Sequence, residues 1–340
     1  MSVSEELYPW LIEPWAQLNA RRGALPHALL VQGRPGLGKT HLARLFAQGL
    51  LCERPEKASV PACGACAACT WFVQGNHPDF RQLQPEALDE ERREEGAGAE
   101  SAAGASRQIR IDQVRELQPF LRIGTHRGGL RIVLIRPAEA MNAATANALL
   151  KSLEEPPEHT LLLLVSSDPQ RLLPTVRSRC QTVTVAPAEP QTGAAWLRGR
   201  GLADAEAALS FAGNAPLAAL EQADFTAARS ALLEVLSDPQ LDPVRSAEEF
   251  LNAPLNEVVV WLQKWIYDLL RMRSGAAPRY HPGAAERLGR LAARLEAVAI
   301  ARLARRVAEA RALAQHPLNP KLFLEDLLIQ YRKLAGGHNG

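Results

Sequence analysis

The octapeptide Gly33-Arg34-Pro35-Gly36-Leu37-Gly38-Lys39-Thr40 follows directly on the apolar run Ala28-Leu29-Leu30-Val31. That order reads as strand, phosphate-cradling loop and helix start. Glycines at Gly33, Gly36 and Gly38 let the backbone wrap an anion so that N–H groups point inward. The following helix presents its positive end, Lys39 adds a full charge, and Thr40 offers a hydroxyl to magnesium. The implied ligand is a nucleoside triphosphate, ATP or ADP with Mg, and binding is a separate matter from hydrolysis.

Alternating strand and helix patterns continue to about Val185, as a parallel α/β sheet requires. Arg131-Ile132-Val133-Leu134-Ile135 and Thr160-Leu161-Leu162-Leu163-Leu164-Val165 read as buried strands, and Thr182-Val183-Thr184-Val185 as a short final one. Ala143 to Glu155 is rich in helix formers and stops at Pro156-Pro157, which cannot continue a helix. The stretch from Pro85 to Ser106 is crowded with Glu, Arg, Gly and Ala without an apolar period, and is expected as a mobile surface insertion.

Beyond Pro187-Ala188-Glu189-Pro190 helical signals take over. Trp196, Leu197, Ala207, Leu209 and Phe211 suggest a small helical unit, with a second boundary near Asp224. Leu262, Trp265, Ile266, Leu269 and Leu270 make one stripe at helical spacing, and Leu324, Leu327, Leu328 and Tyr331 another, as core or subunit-contact faces. The organisation expected is a P-loop domain over 1–187, a small helical domain over 188–227 and an all-α domain over 228–340. The arginines Arg287, Arg290, Arg294, Arg302, Arg305, Arg306 and Arg311 read as a solvated helix face rather than a phosphate-binding one.

Of the five cysteines, Cys52, Cys63, Cys66 and Cys69 lie in one short segment and Cys180 stands alone. Four thiols at two overlapping C-x-x-C steps plus one across a loop suit tetrahedral zinc, as a module over 52–69. Four thiolates leave no open coordination position, so the zinc is expected to be structural. Cys180 reads as a small buried residue. No apolar run reaches the roughly 18 residues of a membrane span, and Met1 to Ala20 mixes charge with proline where a signal peptide would be apolar, so a cytoplasmic protein is expected. A formal charge of +2 leaves any nucleic-acid contact local or shared with partners.

From Tyr8-Pro9-Trp10 to about Leu334 the chain resembles the AAA+ clamp-loader family of bacterial DNA polymerase III, and within it the delta-prime branch. The resemblance rests on the P-loop, the four-cysteine module, Asn76-His77-Pro78-Asp79, the block Ala146-Asn147-Ala148-Leu149-Leu150-Lys151-Ser152-Leu153-Glu154-Glu155-Pro156-Pro157, and Leu173-Pro174-Thr175-Val176-Arg177-Ser178-Arg179-Cys180. It implies an AAA+ P-loop core with a parallel sheet and inserted zinc module, a helical lid and an all-α collar. In that family hydrolysis needs an Asp for magnesium and a Glu for the attacking water at the end of a core strand. Counted back from Asn147, those positions hold Arg136 and Pro137, with Glu139 two residues later. The sensor-2 arginine position appears as Pro216, while Ser166 and Ser167 keep a polar sensor-1 position.

The resemblance therefore implies a chain that binds nucleotide and hardly turns it over, yet supplies Arg179 in trans as an arginine finger to a neighbour's ATP site. Arg177 is read as structural or interfacial, and an ion pair at a strand end is the structural alternative for Arg179. The implied partners are gamma/tau and delta subunits, and through them the sliding clamp and primed DNA, with the collar packing against other chains through its two stripes. The alternative is an ATP-hydrolysing, gamma/tau-like motor subunit in which Glu139 or another acid replaces the missing pair. A small-molecule phosphotransferase would need an acceptor pocket and a base that the sequence does not display.

Overall fold

The computed structural model describes residues 6–54, 62–88, 106–122, 125, 129–238, 240–314 and 318–335. The chain divides into two compact units, Met1–Ala188 and Glu189–Gly340. Most of the segment expected as a mobile insertion over 85–106 lies outside the described residues.

The first unit is built on five parallel strands: β1 (Ala28–Gln32), β2 (Phe80–Leu83), β3 (Arg131–Ile135), β4 (Thr160–Ser166) and β5 (Gln181–Thr184). Their order across the sheet is β2-β3-β4-β1-β5, all neighbours parallel. Every residue of β3 and β4 is buried, because a parallel sheet is covered on both faces. The two-residue alternation divides these runs between two layers. Ala28, Leu30, Val133, Ile135, Leu162 and Leu164 join one core with Val114, Leu117, Leu149 and Leu153 from α4 (Ile111–Arg122) and α5 (Ala143–Glu154). Leu29, Val31, Leu134 and Leu163, equally buried, alternate with them on the other face, where α2 (Lys39–Leu51) covers the sheet. Among the described residues the other α-helices of this unit are α1 (Ile12–Ala20), α3 (Ala67–Val73) and α6 (Pro174–Arg177). The edge strand β5 buries only Val183.

Local chemistry explains the ends of α5. Asn142 caps it by accepting a hydrogen bond from the Thr145 N–H (2.9 Å), and the helix closes just before Pro156-Pro157, one residue earlier than the sequence suggests. The strands expected over 160–165 and 182–185 run over 160–166 and 181–184. The unit is the parallel α/β sheet that the sequence implies, with the phosphate loop between β1 and α2.

The second unit is all helical: α7 (Pro190–Arg198), α8 (Ala205–Phe211), α9 (Pro216–Glu221), α10 (Thr226–Ser237), α11 (Pro243–Glu249), α12 (Leu255–Arg273), α13 (Ala285–Ala293), α14 (Ala297–Leu313) and α15 (Pro320–Ala335). Among the described residues it shows two apolar clusters. A small one joins Ala194, Leu197, Ala205, Leu209 and Ala219, and a larger one gathers Phe211 with the interior of α10 to α15.

The two stripes expected as possible subunit-contact faces are interior. Leu262, Trp265, Ile266, Leu269, Leu324, Leu327, Leu328 and Tyr331 are all buried within this chain, with Leu270 partly so. The idea that the collar meets other subunits through these stripes is therefore corrected, since helices of the same chain already cover them. Trp265 donates its indole N–H to the Tyr331 hydroxyl (2.9 Å), which donates to the Leu236 carbonyl (2.7 Å), so these two side chains carry their polar atoms into the core paired. Three of the arginines expected on a solvated face pair with carboxylates of this chain, Arg287 with Glu234, Arg290 with Glu286 and Arg305 with Glu309.

Candidate functional site

The P-loop connects β1 to α2, at the carboxyl ends of the strands. Gly33 donates its N–H to the Ser166 carbonyl (3.3 Å), which ties the loop to the end of β4. A Cβ at Gly33 would lie 2.5 Å from the Val185 carbonyl oxygen, so no larger residue fits. Gly38 caps α2 in the left-handed region, φ 78°, and a Cβ there would meet the Tyr8 ring at 2.9 Å. Lys39 opens the helix with only 5% of its surface exposed, and its ammonium donates to the Arg34 carbonyl of the loop (2.6 Å). Burial pulls its pKa down to about 8, with the Glu139 carboxylate opposing that shift.

Tertiary structure adds a wall to the loop. Tyr8 stacks on Trp10 (ring centroids 5.1 Å apart) and lies against His41 (4.6 Å), while the Trp10 indole donates to the Leu37 carbonyl (3.0 Å). The sequence marked Tyr8 and Trp10 only as the start of a resemblance. Nothing in their spacing revealed that they cover a loop nearly thirty residues away.

Arg136 and Pro137 follow β3 directly, where an acidic pair was expected to be missing. Glu139, treated in the sequence as a remote substitute, is brought to the site. Its Oε1 accepts the Ser167 N–H at the end of β4 (2.9 Å), and its charge acts on Lys39. Among the described residues its Oε2 is buried with no hydrogen-bond partner, as is the Oγ of the fully buried Ser166. Pro216 is buried at the first position of α9.

The four grouped cysteines form a second site. Their Sγ atoms all lie within 4.8 Å of one another, with Cys52 and Cys66 3.9 Å apart and Cys63 and Cys69 3.9 Å apart. Zinc–sulfur bonds of about 2.3 Å in a tetrahedron place sulfurs about 3.8 Å apart, so the set fits that metal. Cys66 also caps α3, its sulfur accepting the Cys69 N–H (3.4 Å). Burial disfavours its charge, but the N–H groups of Cys69 and Glu53 and the neighbouring thiols bring its pKa down to about 6. Burial raises the neighbouring Cys52 and Cys69 thiols, so one thiolate is favoured among them and a bound cation would be needed for the others to ionise.

Arg179 lies just after α6 with its side chain 35% exposed. Its Nη2 pairs with Glu154 Oε1 (2.7 Å), and its Nη1 donates to the Thr175 carbonyl (3.0 Å). Nη1 also lies 3.4 Å from the Ser178 hydroxyl, so three of its five N–H groups are engaged locally and two remain. Glu154 as the partner of Arg179 was not visible in the sequence. Arg177 donates to the Pro169 carbonyl (3.3 Å), a local structural bond. Cys180 donates to the Val176 carbonyl and is partly buried against the sheet core, and burial pushes its thiol up to about 11.

Residues 13–189 match the family described as "DNA polymerase III, delta subunit", and residues 223–333 match its C-terminal part. The chain is 39% identical over 280 residues to the DNA polymerase III subunit delta' of Pseudomonas aeruginosa, covering 78% of each. It is 34% identical over 281 residues to that of Escherichia coli, covering 79% of this chain and 78% of the relative. It is also similar to the tau subunit of Escherichia coli, 34% identical over 158 residues, 46% of this chain and 21% of tau. Among the described residues no helix is long and apolar enough to cross a membrane.

Proposed function

The chain belongs to the DNA polymerase III delta-prime family, and from that premise we propose that it is a largely non-hydrolysing stator of the clamp loader. In this reading it assembles in the cytoplasm with gamma/tau and delta subunits to load the sliding clamp on primed DNA. Its P-loop binds ATP or ADP with magnesium through the backbone N–H groups of Gly33 to Gly38, Lys39 and Thr40, with Ser166 and Ser167 at the polar end of β4. Its Arg179 completes the ATP site of the adjacent gamma subunit. A guanidinium reaching the γ-phosphate stabilises charge that grows in the transition state, and the partial exposure of the Arg179 side chain supports that role. The chain divides by function into the AAA+ core over 1–187, a helical lid over 188–227 and a helical collar over 228–340, the two apolar clusters of the second unit supporting the latter division.

Cys52, Cys63, Cys66 and Cys69 hold structural zinc, which stiffens the excursion between α2 and α3 and leaves no position for substrate. The observation that carries the whole reading is the end of β3, where Arg136 and Pro137 stand beside an otherwise complete phosphate loop. Neither side chain can accept a proton from the attacking water or ligate a metal, so nucleotide binding is not followed by hydrolysis.

ATP turnover by the purified chain, alone and after reconstitution with gamma, delta, clamp and primed DNA, tests it. The lone chain is expected to be silent, the assembly active, and Lys39→Ala tolerated in the assembly. Magnesium-dependent turnover by the lone chain that Lys39→Ala abolishes would establish a motor subunit instead.

A further inference from the structure

The formal charge of +2 is unevenly spread along the chain. Between Lys264 and His281 stand Lys264, Arg271, Arg273 and Arg279 against a single carboxylate, Asp268. That carboxylate is fully buried and fully engaged. It accepts the backbone N–H groups of Arg279 (2.7 Å), Tyr280 (2.9 Å) and His281 (2.8 Å), and it meets the His281 ring at 2.9 Å. Among the described residues none of the four cations makes an ion pair, and Arg273 and Arg279 are exposed. Lys264 has Arg229 and Arg311 as like charges near it, with Glu257 opposing them, so the positive character extends beyond the segment itself.

The same bonds build an aromatic platform within these charges. Lys264, Tyr267 and Arg271 share one face of α12 at i, i+3 and i+7 spacing. Arg271 donates its Nε–H to the Ala277 carbonyl (2.8 Å), and Asp268 pins the backbone of residues 279–281 to the helix. Tyr280 is thereby set edge to face with Tyr267, ring centroids 5.5 Å apart, with the Lys264 ammonium 5.5 Å and the Arg279 guanidinium 5.7 Å from its ring. Tyr267 is 37% exposed. Arg279 also borders a cavity of about 240 Å³ beside Leu209, Ser210, Asn214 and Glu206, and the Glu206 carboxylate is already paired with Arg198 (3.1 Å).

Rings standing among unpaired cations suit a ligand that carries both negative charge and flat faces. Single-stranded nucleic acid is that ligand, its phosphates tracking the cations and its bases stacking on the rings. A duplex keeps its base faces covered, and an acidic peptide uses the charge without the rings. We propose that Tyr267, Tyr280 and Arg279, flanked by Lys264 and Arg271, form a contact surface for single-stranded nucleic acid. The inference goes beyond the stator reading, since it gives this chain a contact of its own, and it does not depend on nucleotide at the phosphate loop.

The full-length chain is titrated into a fluorescein-labelled oligothymidylate and followed by anisotropy from about 50 to about 200 mM salt. Wild type is expected to bind at low salt and to weaken as salt rises. Tyr267→Ala should lose about tenfold in affinity and Tyr267→Phe almost none, because the phenylalanine keeps the stacking face. Arg279→Gln should lower the slope of log affinity against log salt by about 0.7, the share of one phosphate on a single strand. Both positions are exposed, so melting temperatures should match wild type, and Arg302→Gln, at an exposed arginine of α14, should leave affinity unchanged. Four results overturn the surface: no binding by wild type, equal affinity for a duplex, displacement by polyglutamate as effective as by unlabelled oligothymidylate, or an equal loss in Arg302→Gln. Each of them leaves the stator reading standing.

Discussion

Replacing Arg179 by alanine separates a structural role from a catalytic one by magnitude. In this chain the guanidinium makes an ion pair with Glu154 at 2.7 Å, the two side chains being 35% and 50% exposed, and a hydrogen bond to the Thr175 carbonyl. Solvent screens a pair that exposed, and such pairs contribute about 0.2–1 kcal/mol. The Thr175 bond adds little, because that carbonyl still accepts the Ser178 hydroxyl when the guanidinium is gone. Arg179→Ala is therefore expected to cost the chain less than about 1 kcal/mol, a drop in Tm of roughly 2–4 °C. An arginine finger, in contrast, contributes about 10³-fold or more to turnover, roughly 4 kcal/mol in the barrier. The two effects differ enough to be read apart. The assay pairs urea unfolding of the isolated chain with ATP turnover by the reconstituted loader. Arg179→Lys should fall between wild type and alanine, because it keeps the charge and loses the planar fork. A stability loss above about 2 kcal/mol with turnover unchanged would make Arg179 a structural residue and refute the finger.

Cys66→Ser should lower bound zinc below one per chain by elemental analysis and reduce the melting temperature of the first unit while sparing the second; unaltered zinc would remove Cys66 from the ligand set. The pH dependence of nucleotide binding follows from Lys39, whose pKa burial brings to about 8 in the free chain. Below pH 8 the ammonium is present to meet phosphate, and above it the proton must be taken up on binding. Affinity is thus expected to hold between pH 6 and 7 and fall roughly tenfold by pH 9, a loss absent from Lys39→Ala; a flat wild-type profile contradicts the argument. Tyr331→Phe leaves the Trp265 indole N–H and the Leu236 carbonyl unpaired in the helical core. Two such orphans should cost the second unit about 2–4 kcal/mol in urea unfolding, and a change below about 0.5 kcal/mol would mean that both groups find other partners.

Much of this was legible because the signals are local. The phosphate loop, the four cysteines and the strands at Arg131 and Thr160 are each defined by residues close in sequence, and their strand ends moved by only a residue. The stripes on α12 and α15 were legible as stripes and not as to what covers them. Helical spacing states which face is apolar, and the choice between core and interface depends on helices that arrive from elsewhere in the chain.

The sequence by itself determined the class of fold, the phosphate loop, the thiolate set and the lack of acids after β3, because each follows from residue type at short spacing. Only the tertiary structure decided that Tyr8 and Trp10 wall the loop, that Glu154 holds Arg179, and that Glu139 reaches Ser167 across the ends of two strands. Those contacts depend on strand order. The chain places β3 beside β4 and β4 beside β1, and in doing so it carries one carboxylate to a phosphate loop a hundred residues earlier.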